Sequence, residues 1–343
     1  MDGTERGRWR MPAEWEQHER CLMAWPTRAE LWTHHVEQAR REYAATADAI
    51  SAFEPVTLVA APGQGSEARA ACTAAIEVVE LPIDDSWLRD SGPILVVDDE
   101  GGRLGVDFVF NSWGERFAPF DADAAIAERL LARLGIARVA STMVLEGGAI
   151  TVDGEGTLIT TEQCLLNPNR NPGMTRAGIE DELRRLLGVT SVIWLAYGGY
   201  EDAHTDGHVD GVCTFVRPGV VVAQTCDDPA NPNHALMQRN LEILAAAQDA
   251  KGRRLEVIEI PQLPYFELDG EPLVTSYPNF YLANGGVIIP TADHPLDADA
   301  LAIIRRAFPE REVVGIPSRV IAYGGGGTHC ITQQVPSVRA TAR

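Results

Sequence analysis

Lysine is nearly absent from this chain of 343 residues: Lys251 stands alone among 29 basic residues, and the rest are arginine. We read that bias as codon usage, not as a functional signal. Acidic residues number 49, which sets the formal net charge at −20. A nucleic-acid partner needs a basic face to neutralise phosphates, and no Lys/Arg cluster supplies one. Long hydrophobic runs are missing too. Stretches such as Val192–Tyr197 are far too short to span a bilayer, so no membrane partner is expected. The first ten residues are polar and lack the apolar core of an export signal. Cys21, Cys72, Cys164, Cys213, Cys226 and Cys330 show neither CxxC nor zinc-finger spacing. The expectation is a cytoplasmic protein with reduced thiols.

What is present is ordinary for a folded chain: 45% hydrophobic and 23% charged residues, enough for a sizeable core. An acidic surface would also steer a cationic ligand inward.

Helix and strand patterns alternate along the sequence. Residues 29–52 read as one amphipathic helix, with Trp32, Val36, Ala39, Tyr43 and Ile50 on one face and Thr27 as N-cap. Further helical patterns cover about 121–134, 175–187, 234–249 and 296–307. Gly135, Gly188, Gly252 or Pro309 lies just beyond four of these ends. Hairpins with turn chemistry fall at Ile94–Val97/Val106–Phe110, Ala149–Val152/Thr157–Thr161, Val212–Val216/Val220–Gln224 and Phe280–Leu282/Val287–Pro290. Each precedes a helix and then a short β-rich segment such as Val192–Leu195, Leu255–Ile260 or Val313–Ile316. The α/β unit is therefore ββαβ, four times over. A fifth forms if Cys330–Val335 pairs with Cys21–Trp25, followed by the first helix and Val56–Ala60. Closing a ring with both chain ends in one unit is how propellers hide their edges.

The chemically distinctive residues all fall just before the first strand of a unit: Asp90, Glu146, His208 with Asp210, Tyr277 with Asn279, and Cys330. In a closed ring of similar units, such positions converge on one central pocket. Cys330 follows Gly324-Gly325-Gly326-Gly327-Thr328-His329; a run of four glycines marks unusual dihedrals or close approach to a ligand, or else a flexible loop beside an inert thiol. Two residues apart on a strand, His208 and Asp210 would face one side and address one ligand. The rival reading is a metal site using His204, Asp206, His208 and Asp210, although no further His or Cys cluster completes such a shell. Trp87-Leu88-Arg89-Asp90 and Glu146-Gly147-Gly148 are weak motifs alone, and Pro62-Gly63-Gln64-Gly65 reads as a loop without the P-loop lysine.

Taken together, Trp87-x-Arg89-Asp90-x-Gly92-Pro93, Glu146-Gly147-Gly148, Gly207-His208-Val209-Asp210 and Gly326-x-x-His329-Cys330-Ile331-Thr332-Gln333-Gln334 resemble the agmatine deiminases. Those belong, with the bacterial peptidyl-arginine deiminases, to the guanidine-modifying (pentein) superfamily. Met11–Trp15, Phe110–Gly114 and Leu166–Pro172 extend the likeness almost end to end. The resemblance implies a five-bladed α/β propeller of ββαβ pseudo-repeats around a central pocket. It also implies Cys330 as covalent nucleophile, His208 as general acid/base, Glu146 as its carboxylate partner, and Asp90 with Asp210 as guanidinium ligands. Two segments depart from the family's usual pattern: Gly327-Thr328, where Asn-Ile is usual, and Gly198–Thr205. Both lie where they would reshape the pocket around a substrate tail.

The implied reaction is hydrolytic deimination of a small cationic guanidino substrate, agmatine first, with no metal and no cofactor. The alternative is deimination of, or amidino transfer from, another guanidino compound. Asp85, Trp87 and Trp113 are the expected tail-binding residues, the tryptophans flanking an aliphatic chain. Asp84, Glu115 and Glu201 are further acids near the pocket-forming turns, and no free Arg or Lys is there to take a carboxylate. The expected layout is a flexible segment 1–10, one catalytic domain 11–337 and a tail 338–343, and a homo-oligomer is compatible with it.

Overall fold

The computed structural model describes residues 9–264, 266–273 and 276–338. Five sheets are built on the same ββαβ order, each with an antiparallel pair followed through a helix by a parallel strand. The first joins Thr332–Pro336 to His18–Ala24, passes through helix Val36–Ser51 to Val56–Ala60, and adds Glu77–Glu80. The second runs Ile94–Val97, Arg103–Val109, helix Ile126–Leu134 and Ala137–Val144. Next come Thr151–Val152, Thr157–Thr161, helix Arg176–Leu187 and Ser191–Leu195. The fourth is Cys213–Arg217, Val220–Thr225, helix Asn233–Ala246 and Glu256–Pro261. The last is Tyr281–Ala283, Gly286–Thr291, helix Leu296–Ala307 and Glu312–Pro317. As expected, the two ends of the described chain meet in one sheet, in a register that puts Cys21 opposite Gln334 and Met23 opposite Thr332.

Burial explains the composition of these strands. A strand with a neighbour on each side is covered by both, so Val56–Ala60 in the first sheet and the second strands Thr157–Thr161, Val220–Thr225 and Gly286–Thr291 are buried throughout. A strand with both faces covered reads as a continuous apolar run. The parallel edge strands Glu77–Glu80, Glu256–Pro261 and Glu312–Pro317 expose charged residues instead. The helices bury one stripe each. In Arg176–Leu187 it is Ile179, Leu183, Leu186 and Leu187, with Thr175 accepting the Gly178 N–H at the start and left-handed Gly188 at the stop. Leu183→Ala would leave a cavity there and cost about 2–5 kcal/mol.

Several expectations need correction. The helix over 29–52 is broken: Ala29–Trp32 ends at Thr33, whose φ is 50°, and a 3-10 turn Thr33–His35 precedes Val36–Ser51. The break lets Trp32 stack on Trp87 at 5.8 Å while Tyr43 meets it edge-on. Arg28, not Thr27, holds the N-cap position, without a capping bond. The loop at Pro62 leads into a short helix, Gly65–Ala71, and to the unexpected strand Glu77–Glu80. A hairpin, Phe266–Leu268 with Glu271–Leu273, stands apart from the five sheets. Residues 1–8 of the expected flexible segment lie outside the described residues, and Arg10 is not loose. It bridges Val97 through backbone bonds of 3.0 and 2.9 Å and pairs with Glu16 at 2.6 Å. Of the tail, 339–343 lie outside the described residues.

Candidate active site

The residues singled out before each hairpin do assemble. Asp90 sits on the turn Leu88–Ser91, Glu146 precedes a 3-10 turn at Gly147–Ala149, and His208 precedes another that carries Asp210. Gly148 shows how tightly they converge. A Cβ there would lie 2.6 Å from His208 Nδ1, 2.8 Å from Asp90 Oδ1 and 2.9 Å from Asp210 Oδ2. Only glycine leaves room for three polar groups around one point.

Cys330 Sγ accepts from Asn279 Nδ2 at 3.2 Å and stands 3.5 Å from Asp210 Oδ2. Burial, reinforced by the charges of Asp210 and Asp90, pushes this thiol well above its ordinary value; the Gly327 N–H and Asn279 oppose the shift. Without a bound cation the sulfur is therefore held as SH.

The two aspartates are held differently. Asp90 accepts from Trp113 Nε1 at 2.9 Å and from the Gly148 N–H at 3.0 Å, yet burial raises its pKa to about 6. Burial pushes Asp210 up too, but its 2.9 Å bond to His329 Nδ1 and the charges of His329, His208 and Arg89 outweigh that and hold it low. His329 Nε2 meets Glu14 Oε1 at 2.9 Å, and Arg89 links Glu14 to Gln334 at 3.4 and 2.7 Å. Burial and Arg89 lower the His329 pKa, whereas Glu14 and Asp210 raise it further, so it is an imidazolium between two carboxylates. Glu14 is buried, which raises its pKa, but His329 and Arg89 bring it to about 2.

His208 lies 3.8 Å from Asp90 and 3.9 Å from Glu146, beyond hydrogen-bond reach, and neither ring nitrogen has a partner. Burial lowers its pKa, but Asp90, Glu146, Asp210 and Asp202 outweigh that and raise it. Glu146 Oε1 takes a 2.6 Å bond from buried Arg170, while Oε2 is unpartnered.

A cavity opens over Asp90 and Cys330, walled by Trp87, Trp113, Phe117, Leu31, His204 and Thr205, with Gly324 and Gly325 on one side. No Lys or Arg lines it among the described residues. Trp113 is aimed by a run of left-handed residues, Ser112 to Glu115, with φ from 52° to 88°. Such strain persists where surrounding structure fixes it, here through Asn111, which accepts the Gly114 N–H and donates to the Asn169 carbonyl. Asp85 is elsewhere: it pairs with Arg28 at 3.0 Å and does not touch the cavity. Asp84 accepts the Ala122 N–H, and Glu201 accepts from Asn233, so those acids do not line it either, nor does Glu115. Tyr277 turns away to donate to Asp297.

Among the described residues, His204, Asp206, His208 and Asp210 do not bring ligand atoms together. Asp206 binds Arg116, Arg170 and Asn169, and His204 faces Gly325 and Phe117. Glu146, Cys164 and His208 do approach one another, but burial and Glu146 hold the Cys164 thiol protonated, and Glu146 already balances Arg170. That donor set suits a proton better than a metal.

Sequence reasoning assigned no role to Glu14, Arg170, Leu31 or Phe117. Glu14 and Arg170 stand inside two of the motifs that carried the family resemblance, which was the available signal.

A buried thiol beside a histidine and convergent carboxylates is the arrangement that the likeness to guanidine-modifying enzymes leads one to expect. The family pattern of the Porphyromonas-type peptidyl-arginine deiminases matches residues 10–336. The agmatine deiminase of Pseudomonas aeruginosa (strain LESB58) is 47% identical, with 96% of each chain covered. Among solved structures, the agmatine deiminase of Enterococcus faecalis superposes with a TM-score of 0.94 at 34% identity, covering 97% of each chain. An agmatine deiminase of C. jejuni with substrate bound gives 0.88 at 26% identity, covering 96% of this chain and 97% of that one. This chain belongs to the agmatine deiminase branch of the Porphyromonas-type peptidyl-arginine deiminase family.

Proposed function

We propose that the protein hydrolyses agmatine to N-carbamoylputrescine and ammonia through a thiouronium intermediate on Cys330. The observation that carries this reading is a thiol and two buried carboxylates at the end of an aromatic-walled cavity without a lining cation. Two carboxylates accept the planar N–H fork of a guanidinium through charge-assisted bonds. Trp87, Trp113 and Phe117 flank the aliphatic chain, and their π faces suit a terminal ammonium. The carboxylate of free arginine would meet no partner.

The five sheets act as blades of an α/β propeller, with residues 11–337 as one catalytic domain. Support comes from the repeated unit, the sheet shared by both chain ends, and the delivery of Asp90, Glu146, His208, Asp210, Asn279 and Cys330 from successive units.

The bound cation reverses the electrostatics that hold Cys330 protonated. Its charge ionises Asp90 fully and stabilises the thiolate, the thiol proton passing to solvent, so the nucleophile forms only with substrate in place. Sγ adds to the guanidinium carbon, giving a neutral tetrahedral adduct. His208, held as imidazolium by Asp90 and Glu146, gives a proton to one nitrogen. The C–N bond breaks, ammonia leaves, and a thiouronium cation remains on sulfur. Water adds to that carbon as neutral His208 takes one of its protons. The C–S bond then breaks, expelling the thiolate; the hydroxyl proton of the departing ureido product passes to solvent, where the ammonia released earlier takes it up as ammonium. His208's unpartnered nitrogens suit a group that must exchange protons with substrate and water.

The test is ammonia release from a substrate pair. kcat/KM for agmatine should exceed that for free arginine by at least about tenfold. Equal values, or a preference for arginine, would overturn the substrate while leaving the deiminase chemistry standing.

A further inference from the structure

Three side chains outside this chemistry meet at the rim of the cavity. His34 and His35 lie in the 3-10 turn that follows Trp32, and Asp269 lies at the tip of the hairpin outside the five sheets, at a φ of 57°. Both imidazoles aim Nε2 at one carboxylate oxygen: Asp269 Oδ2 is 2.9 Å from His34 and 2.7 Å from His35. The rings lie 4.1 Å apart, and the three ligand atoms fall within 4.8 Å of one another. His35 is largely covered at 12% side-chain exposure, whereas His34 at 70% and Asp269 at 39% leave the group open to solvent.

Two imidazoles and one carboxylate are a donor set for zinc-class ions, with a coordination position left for water. As a hydrogen-bonded group the trio needs two N–H donors on one oxygen. One divalent cation in place of those two protons would satisfy all three ligands, with Thr33 Oγ1, 3.5 Å from His34 Nδ1, as an outer partner. We propose that His34, His35 and Asp269 form a binding site for one divalent transition ion, and that filling it restrains the rim of the substrate cavity.

The connection to the rim is direct. Leu31, just upstream of this turn, lines the cavity. Tyr323 packs its ring edge-on against His35 at 5.2 Å and brings its hydroxyl within 3.4 Å of Thr33 Oγ1. The next two residues, Gly324 and Gly325, also line the cavity. A bound ion therefore ties the hairpin tip to both rim segments.

The full chain, freed of metal with a chelator, would be titrated calorimetrically with Zn²⁺ and, separately, Mg²⁺. His34→Asn, His35→Asn, Asp269→Asn and the triple variant would be compared with the unsubstituted protein. One Zn²⁺ should bind without matching Mg²⁺ binding, each substitution should weaken it at least about tenfold, and the triple variant should abolish it. Undiminished Zn²⁺ uptake by the triple variant would place the metal elsewhere, and equal Mg²⁺ binding would show diffuse attraction to an acidic surface; either sinks the site. Saturating Zn²⁺ should lower kcat/KM at least about threefold in the unsubstituted protein and leave the triple variant unchanged. An unchanged kcat/KM with the ion bound would overturn the restraint. The binding arm does not depend on the substrate assignment.

Discussion

The two flanks of the reacting centre contain similar residue types and are organised in opposite ways. On one flank, Asp210, His329, Glu14 and Arg89 form a continuous buried chain in which each group has a charged partner. On the other, Asp90, His208 and Glu146 lie too far apart to bond one another, His208 has two idle nitrogens, and Glu146 keeps one idle oxygen. The chemical consequence appears in the aspartates: Asp210 is held ionised, while Asp90 titrates at about 6. A chain of paired charges fixes geometry, even with Arg89 Nη2 left idle; one whose members stand apart stores hydrogen-bonding capacity for a ligand. The pairing supplies one rigid anchor and one flank completed by the substrate.

Substitutions at the centre and on each flank would break or sharpen that contrast. The largest effect should come from the sulfur both flanks serve. Cys330→Ala should lower kcat by about 10⁴-fold or more, whereas Cys164→Ala, behind the unsatisfied flank, should mainly cost stability. Measurable ammonia release from the Cys330→Ala protein would refute its role.

Next, Asp90→Asn and Asp210→Asn should each lose about 2–5 kcal/mol of transition-state binding, well over tenfold in kcat/KM. Their stabilities should diverge. The raised pKa of Asp90 means its ionisation costs stability, a cost present above about pH 6 and gone once pH falls below its unfolded value near 4. Asp90→Asn should thus raise Tm at pH 8 and leave it unaltered at low pH. The lowered pKa of Asp210 contributes stability above that unfolded value, lost as pH falls, so Asp210→Asn should lower Tm at pH 8. Parallel Tm shifts would erase the distinction.

The smallest effect should be His329→Gln, which leaves Asp90 and Asp210 in place. Without the imidazolium, burial raises Asp210, and the acidic limb of kcat/KM should move to higher pH and steepen as two carboxyls titrate together. A loss uniform at all pH values would reduce His329 to scaffolding.

Much of this arrangement was readable from sequence because period and turn chemistry are local. Helix Leu296–Ala307 and strand Val56–Ala60 fall where their patterns put them. The break at Thr33 was not readable, since the packing of Trp32 on Trp87 depends on contacts far along the chain. Glu77–Glu80 is too short and too charged to announce a strand, and the hairpin at 266–273 packs into no repeat. At the site, the position before each unit's first strand located residues that the fold brings together, but partners chosen by burial stayed hidden. Glu14 reaches His329 from the other end of the sequence, and Arg170 reaches Glu146 from a loop. Asp85 showed the converse error: a correct expectation of acidity, but Arg28 neutralises it.

The sheet shared by the two chain ends has a consequence for synthesis. Cys330 lies just ahead of Thr332–Pro336, and the partner of that strand, His18–Ala24, is made more than three hundred residues earlier. On the ribosome, His18–Ala24 has an open edge until Thr332–Pro336 has emerged, and closing so long a loop is entropically slow. The nucleophile cannot be seated before that closure. A nascent or truncated chain would hold its carboxylates and histidine without a positioned sulfur, so catalytic competence itself reports that synthesis has passed Pro336 and that this sheet has closed.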